Sequence, residues 1–86
     1  MTLPTISPNE DGIDKLINNY TEAYLLILKA RNAVANVEPQ PKHYPRIDKA
    51  NNHYVACCEH QRRLEDLLRV AEDMLRIRNH ILEKPQ

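Results

Sequence analysis

Apolar side chains recur along the first half of the chain at alternating steps of three and four: Ile13, Leu16, Tyr20, Ala23, Ile27, Ala30, Val34. That spacing predicts a helix with one apolar stripe. Leu26 widens the stripe on one side, and Ile17 and Tyr24 widen it on the other. Leu25 and Leu28 fall on the opposite face, among Asp14, Asn18, Glu22 and Lys29. The second half repeats the pattern through Ile47, Ala50, Tyr54, Cys57, Gln61, Leu64, Leu68, Ala71, Leu75, Arg78 and Leu82. A flanking row of Leu67, Met74 and Ile81, widened by Val70 and Ile77, brings this apolar sector to roughly 160° of the helix circumference.

Boundaries follow from caps and breakers. Residues 1–7 read as an extended leader. Ser7-Pro8-Asn9-Glu10 matches a capping box with proline in the first helical turn, and Asp11 with Asp14 offers a start one turn later. Glu38-Pro39-Gln40-Pro41 halts the helix, because proline removes an amide donor and pushes its predecessor toward extended backbone. Pro45 suits the first turn of the next helix, and Pro85 ends it. The expectation is an all-α protein of one domain: leader 1–7, then a helical hairpin over 8–86. Its antiparallel helices span about 8–36 and 45–84, joined by a proline-rich linker at 37–44.

Pairing the helices outward from the linker brings Glu10 level with about residue 71. Met74, Leu75, Ile77, Ile81 and Leu82 are then left without cover on the first helix, and burying each would be worth about 1.5–3 kcal/mol. Either the leader folds back so that Leu3 and Ile6 cover this overhang, or another chain does. Leu25 and Leu28 on the outer face also ask for a partner. These seven residues, Leu25, Leu28, Met74, Leu75, Ile77, Ile81 and Leu82, form the expected partner-binding set. A homodimer forming a four-helix bundle is the expected assembly.

Composition narrows the function classes. One Gly among 86 residues excludes a glycine-rich phosphate loop. Twelve basic and twelve acidic side chains cancel, so no strong field marks nucleic acid or an anionic membrane as a target. The longest apolar run, Ala23–Leu28, is far short of the ~20 residues that span a bilayer. Met1–Ser7 lacks the features of a signal peptide, and adjacent Cys57 and Cys58 cannot bridge each other within a helix. The expected location is therefore cytoplasmic.

Three clusters carry possible chemistry. His53, Cys57 and His60 lie at i, i+4 and i+7 on one face, the donor types that zinc takes, yet no CxxC accompanies them, and core filling is the simpler reading. Arg62, Arg69 and Arg76 recur every seven residues and would suit phosphates. Arg62–Asp66, Glu65–Arg69, Arg69–Asp73 and Glu72–Arg76, however, are opposite-sign pairs that make a solvated face. Arg78 sits in the core stripe, where its head either leaves at the bundle end or joins Arg76 and His80 on an anion. Gln61 in the same stripe would set register.

No carboxylate pair or nucleophile–base order stands out, so no catalytic residue, metal or cofactor is assigned. The expectation is a small non-enzymatic module that binds a protein through apolar helix surface, as a regulator, adaptor or phage- or plasmid-type inhibitor does. A nucleic-acid-associated factor using the Arg62/Arg69/Arg76 face is the alternative, followed by a metal- or redox-responsive bundle. If the overhang is the interface, Ile77→Asp or Ile81→Asp abolishes association while helicity persists.

Overall fold

The computed structural model describes residues 1–5, 12–44 and 49–83. Two helices pack against each other: α1, Ile13–Ala35, and α2, Lys49–Leu82. A short 3₁₀ turn, Pro41–His43, lies between them, and there is no strand among the described residues. No described helix is long and apolar enough to cross a membrane. Ser7–Asp11, Ile6, Pro45, Arg46, Ile47 and Pro85, on which several sequence expectations rest, lie outside the described residues.

α1 starts later than the capping box suggests. Gly12 holds φ 83°, the left-handed region, and therefore sits at the N-cap rather than inside the helix. Its carbonyl accepts the first helical bond from the Leu16 amide at 3.0 Å. Asp14 in the first turn faces the positive end of the helix dipole. At the far end the Asn36 and Val37 amides donate to Ala33 and Val34 at 3.2 and 3.1 Å, tightening the last turn before Pro39.

The linker does not fold straight back. Gln40 and Tyr44, each followed by proline, hold extended backbone at φ −108°, ψ 141° and φ −117°, ψ 152°. The segment therefore runs on past the end of α1, alongside the first turns of α2. His53 Nε2 donates to the Pro39 carbonyl at 3.1 Å, and the His53 and Tyr44 rings meet at 6.0 Å. Farther along, Arg31 Nε donates to the Leu64 carbonyl at 3.1 Å and Arg78 Nη1 to Thr21 Oγ1 at 3.4 Å.

These ties place Thr21 beside Arg78, where outward pairing from the linker would have put it near residue 60. The slip is roughly 14–18 residues, or about 21–27 Å of helix axis. It corrects the expected overhang. α1 reaches the C-terminal end of α2, and Ile77 and Ile81 are buried at 8% and 5% exposure. Met74 and Leu75 are half-buried, so only Leu82 of that group is open to solvent. The uncovered stretch of α2 is instead its beginning, where Tyr54, Val55 and Cys58 are exposed.

The buried seam is rotated by one position on both helices. On α2 it follows His53, Cys57, His60, Leu64, Leu67, Ala71, Met74, Arg78 and Ile81; Tyr54, Gln61 and Leu82 are exposed. On α1 it follows Ile13, Ile17, Tyr20, Tyr24, Ile27, Arg31 and Val34, all half-buried, while Ala30 is exposed. Leu28, expected on the outer face, is half-buried, and Leu26, expected at the stripe, is exposed.

The result is a thin rod of 63 × 20 × 13 Å with a radius of gyration of 19.0 Å. A compact chain of this length would have a radius of about 12 Å. Among the described residues only Ala71, Ile77, Ile81 and His60 are buried. A core this small leaves little margin for independent stability.

Candidate interaction surface and the hinge-end cleft

Where α2 runs on beyond Ala35, the linker and α2 enclose a cleft of about 500 Å³ lined mainly by Pro39, Tyr54, Cys57, His60, Gln61 and Leu64. Of the three candidate metal ligands, Cys57 and His60 line this cleft, and beside it Cys57 meets His53. Cys57 Sγ lies 3.3 Å from His53 Nε2. Because the Pro39 carbonyl can only accept, Nε2 carries the hydrogen and the sulfur receives a share of it. His60 does not join them. Its ring is buried at 7% exposure, and Nε2 has no hydrogen-bond partner. Among the described residues no three His, Cys, Asp or Glu side chains gather at one point, and the chemistry of the pair is that of a packed thiol and imidazole.

One turn around the helix, Tyr54 and Cys58 form a parallel pair facing solvent. A hydrogen bond with the Cys58 thiol, and then the charge that thiol carries when ionised, push the Tyr54 phenol above its ordinary value of 10.0. Neither residue is enclosed.

The arginine face is solvated. Arg62, Arg69 and Arg76 are all exposed. Among the described residues the ion pair that forms is Arg69–Asp66 at 3.5 Å, an i,i+3 pair with both side chains well exposed, in place of the i,i+4 pairs expected. Such a pair contributes ~0–1 kcal/mol, and its acidic partner lowers the field a phosphate would meet. Gln61 is on the surface as well and reaches only Glu65 Oε1, at 3.5 Å.

Arg78 neither escapes at the bundle end nor joins an anion site. Its Nε and Nη2 donate to Asn79 Oδ1 at 3.2 and 2.9 Å, and Nη1 reaches across to Thr21. Arg76 and His80 lie on another side of α2, in a shallow cleft with Leu3, Leu75 and the carboxylates Glu72 and Glu83. The three expected anion contacts are therefore not brought together. Leu3 does sit beside the C-terminal part of α2, as a returning leader would place it.

Two polar ties across the seam, Arg31 to Leu64 and Thr21 to Arg78, escape any reading of apolar periodicity. Thr21 and Arg31 lie one position off the apolar stripe of the first helix, whereas Arg78 lies within that of the second. What remains as surface is apolar: Leu25, Leu26, Val37, Tyr54, Val55, Val70 and Leu82 are exposed on a rod with four buried residues among those described. Compared with known proteins, the chain matches no protein-family model, no curated protein and no solved structure.

Proposed function

We propose that this chain is a small non-enzymatic interaction module, a helical hairpin that works by laying apolar helix surface against another protein chain. The observation that carries the reading is the imbalance between core and surface. Among the described residues nine large hydrophobic side chains are exposed, and three hydrophobic residues are buried. Scattered exposed leucines are ordinary, but on a rod without a closed core they are surface that a partner's contact would stabilise. The polar clusters compete weakly with this: Arg62, Arg69 and Arg76 are exposed with one weak ion pair, Arg69–Asp66, and the His53 Nε2 hydrogen is already shared by the Pro39 carbonyl and Cys57. Pairing two hairpins into a four-helix bundle is the simplest way to close both seams. Regulator, adaptor and inhibitor roles all fit such a module, in the cytoplasm where free thiols persist.

The test is thermal and urea unfolding of the isolated chain over a wide range of concentration. The proposal requires either a midpoint that rises with concentration or a weak monomer melting below about 45 °C. A monomer that melts above about 65 °C at every concentration would need no partner and would contradict the proposal.

A further inference from the structure

The hinge-end cleft suits a cation. Ala35, the last residue of α1, and Glu38 line it with Cys57, Cys58 and Gln61, and no lysine or arginine does. The last turn of α1 carries no basic residue either, so no side chain there offsets the negative end of the helix dipole. Beside the cleft, three electron-rich atoms share one hydrogen. His53 Nε2 lies 3.1 Å from the Pro39 carbonyl oxygen and 3.3 Å from Cys57 Sγ, and its single hydrogen serves both. His53 and Cys57 stand one helical turn apart on α2, the i, i+4 spacing at which side chains on one helix face hold zinc.

We propose that these three atoms form a binding site for a thiophilic divalent cation of the zinc type. His53 and Cys57 are its side-chain ligands, and the Pro39 carbonyl supplies the third from the backbone. The inference is independent of the interaction-module reading. With hydrogen in the shared place the pair is a packed thiol and imidazole; the same place fits a tetrahedral ion. Zinc stands about 2.3 Å from sulfur and about 2.0–2.2 Å from nitrogen or oxygen. At those lengths the observed separations subtend about 100° between nitrogen and sulfur and about 97° between nitrogen and oxygen, within about 15° of the tetrahedral angle. On binding, the Cys57 thiol gives its proton to solvent, the Nε2 hydrogen moves to Nδ1, and the freed Nε2 lone pair takes the ion. The fourth position is left to water, as in open zinc sites. His60 stays outside, because its Nε2 is enclosed. Since Pro39 belongs to the linker and the other two ligands to α2, the ion clamps one to the other.

The experiment is titration of the untagged full chain, kept reduced, with zinc against a chromophoric chelator and with cobalt followed by absorption. The expected result is one ion per chain, with a thiolate-to-cobalt charge-transfer band in the near ultraviolet. Cys57→Ser and His53→Ala should each weaken zinc binding at least about 10-fold, since losing even a group that only orients a ligand costs that much. Cys58→Ser should leave it unchanged, although Cys58 is the more exposed thiol and the one that adventitious binding would use. Circular dichroism checks that the variants keep their helices, and Cys57→Ser, nearly isosteric, is the safest of them. No binding at zinc concentrations on the order of 100 µM overturns the site. So does a cobalt complex without the charge-transfer band, or one ion shared by two chains. Binding that survives Cys57→Ser, or that falls as far with Cys58→Ser, overturns it as well.

Discussion

Replacing His60 with leucine should stabilise the protein, although the substitution falls at a buried position of the seam. The ring sits where α1 ends and the linker begins, between the cleft lined by Cys57 and Leu64 and the one lined by Val34 and Arg63. Its exposure is 7%, and Nε2 is sealed from solvent with nothing to bond. A buried polar atom left unpaired costs about 1–3 kcal/mol. Leucine is of comparable size, removes that cost and adds apolar contact with Leu64 and Val34. A gain of about 1–2 kcal/mol follows, and each kcal/mol raises the melting temperature of a domain this size by about 4–8 °C. The assay is urea unfolding of both proteins at one fixed concentration, because self-association would otherwise shift the midpoint by mass action. An unchanged or lower stability would refute the reasoning, since it would mean that Nε2 finds a partner in solution and that the imidazole is part of a satisfied network.

Other consequences follow from the register and the surface. Ile81→Asp places a carboxylate at a buried position of α2 and should cost more than about 3 kcal/mol, with loss of helical circular dichroism; retained helicity would restore the overhang that the sequence alone suggested. Arg31→Met removes the charged donor to the Leu64 carbonyl and should cost about 1.5–3 kcal/mol by chemical denaturation, and a change below about 0.5 kcal/mol would show that the cross-helix tie is not formed. Arg69→Glu should shift stability by less than about 0.5 kcal/mol and should leave gel retardation of mixed DNA or RNA at low salt unaltered, because none is expected from the wild type. Cys58→Ala should bring the Tyr54 phenol back down toward 10.0 in a tyrosine titration, and no movement would remove the thiol as the cause. Because Tyr54 is raised, the folded chain holds that proton more tightly; any stability linked to it is complete below pH 10 and fades as pH rises through the folded value.

Element type was legible from periodicity because both helices repeat apolar residues at steps of three and four over many turns. Which stripe becomes the seam was not. On α2 the choice lay between Tyr54, Gln61, Leu68, Leu75, Leu82 and His53, His60, Leu67, Met74, Ile81, and in the C-terminal half both rows are equally apolar. Burial of His60 and Ile81 decides for the second row. The overhang was misplaced for a different reason. A linker of about eight residues can turn tightly or run on, and the prolines after Gln40 and Tyr44 hold their predecessors extended, which moves the level of pairing by several turns. Arg31 and Arg78 were hardest to place, because long cationic side chains enter a seam only when a carbonyl or hydroxyl waits opposite, and that depends on the register.

A single hairpin with so small a core is proposed to be half of a finished structure. The most direct test is the mass of the wild-type chain in solution, measured by light scattering from about 1 to 100 µM, the range over which mass action separates a pair from its parts. A mass of twice the 10.0 kDa chain that persists on dilution, falling only toward the lowest concentrations, is the predicted result. A mass of 10.0 kDa at every concentration, with the helices fully formed, would contradict it.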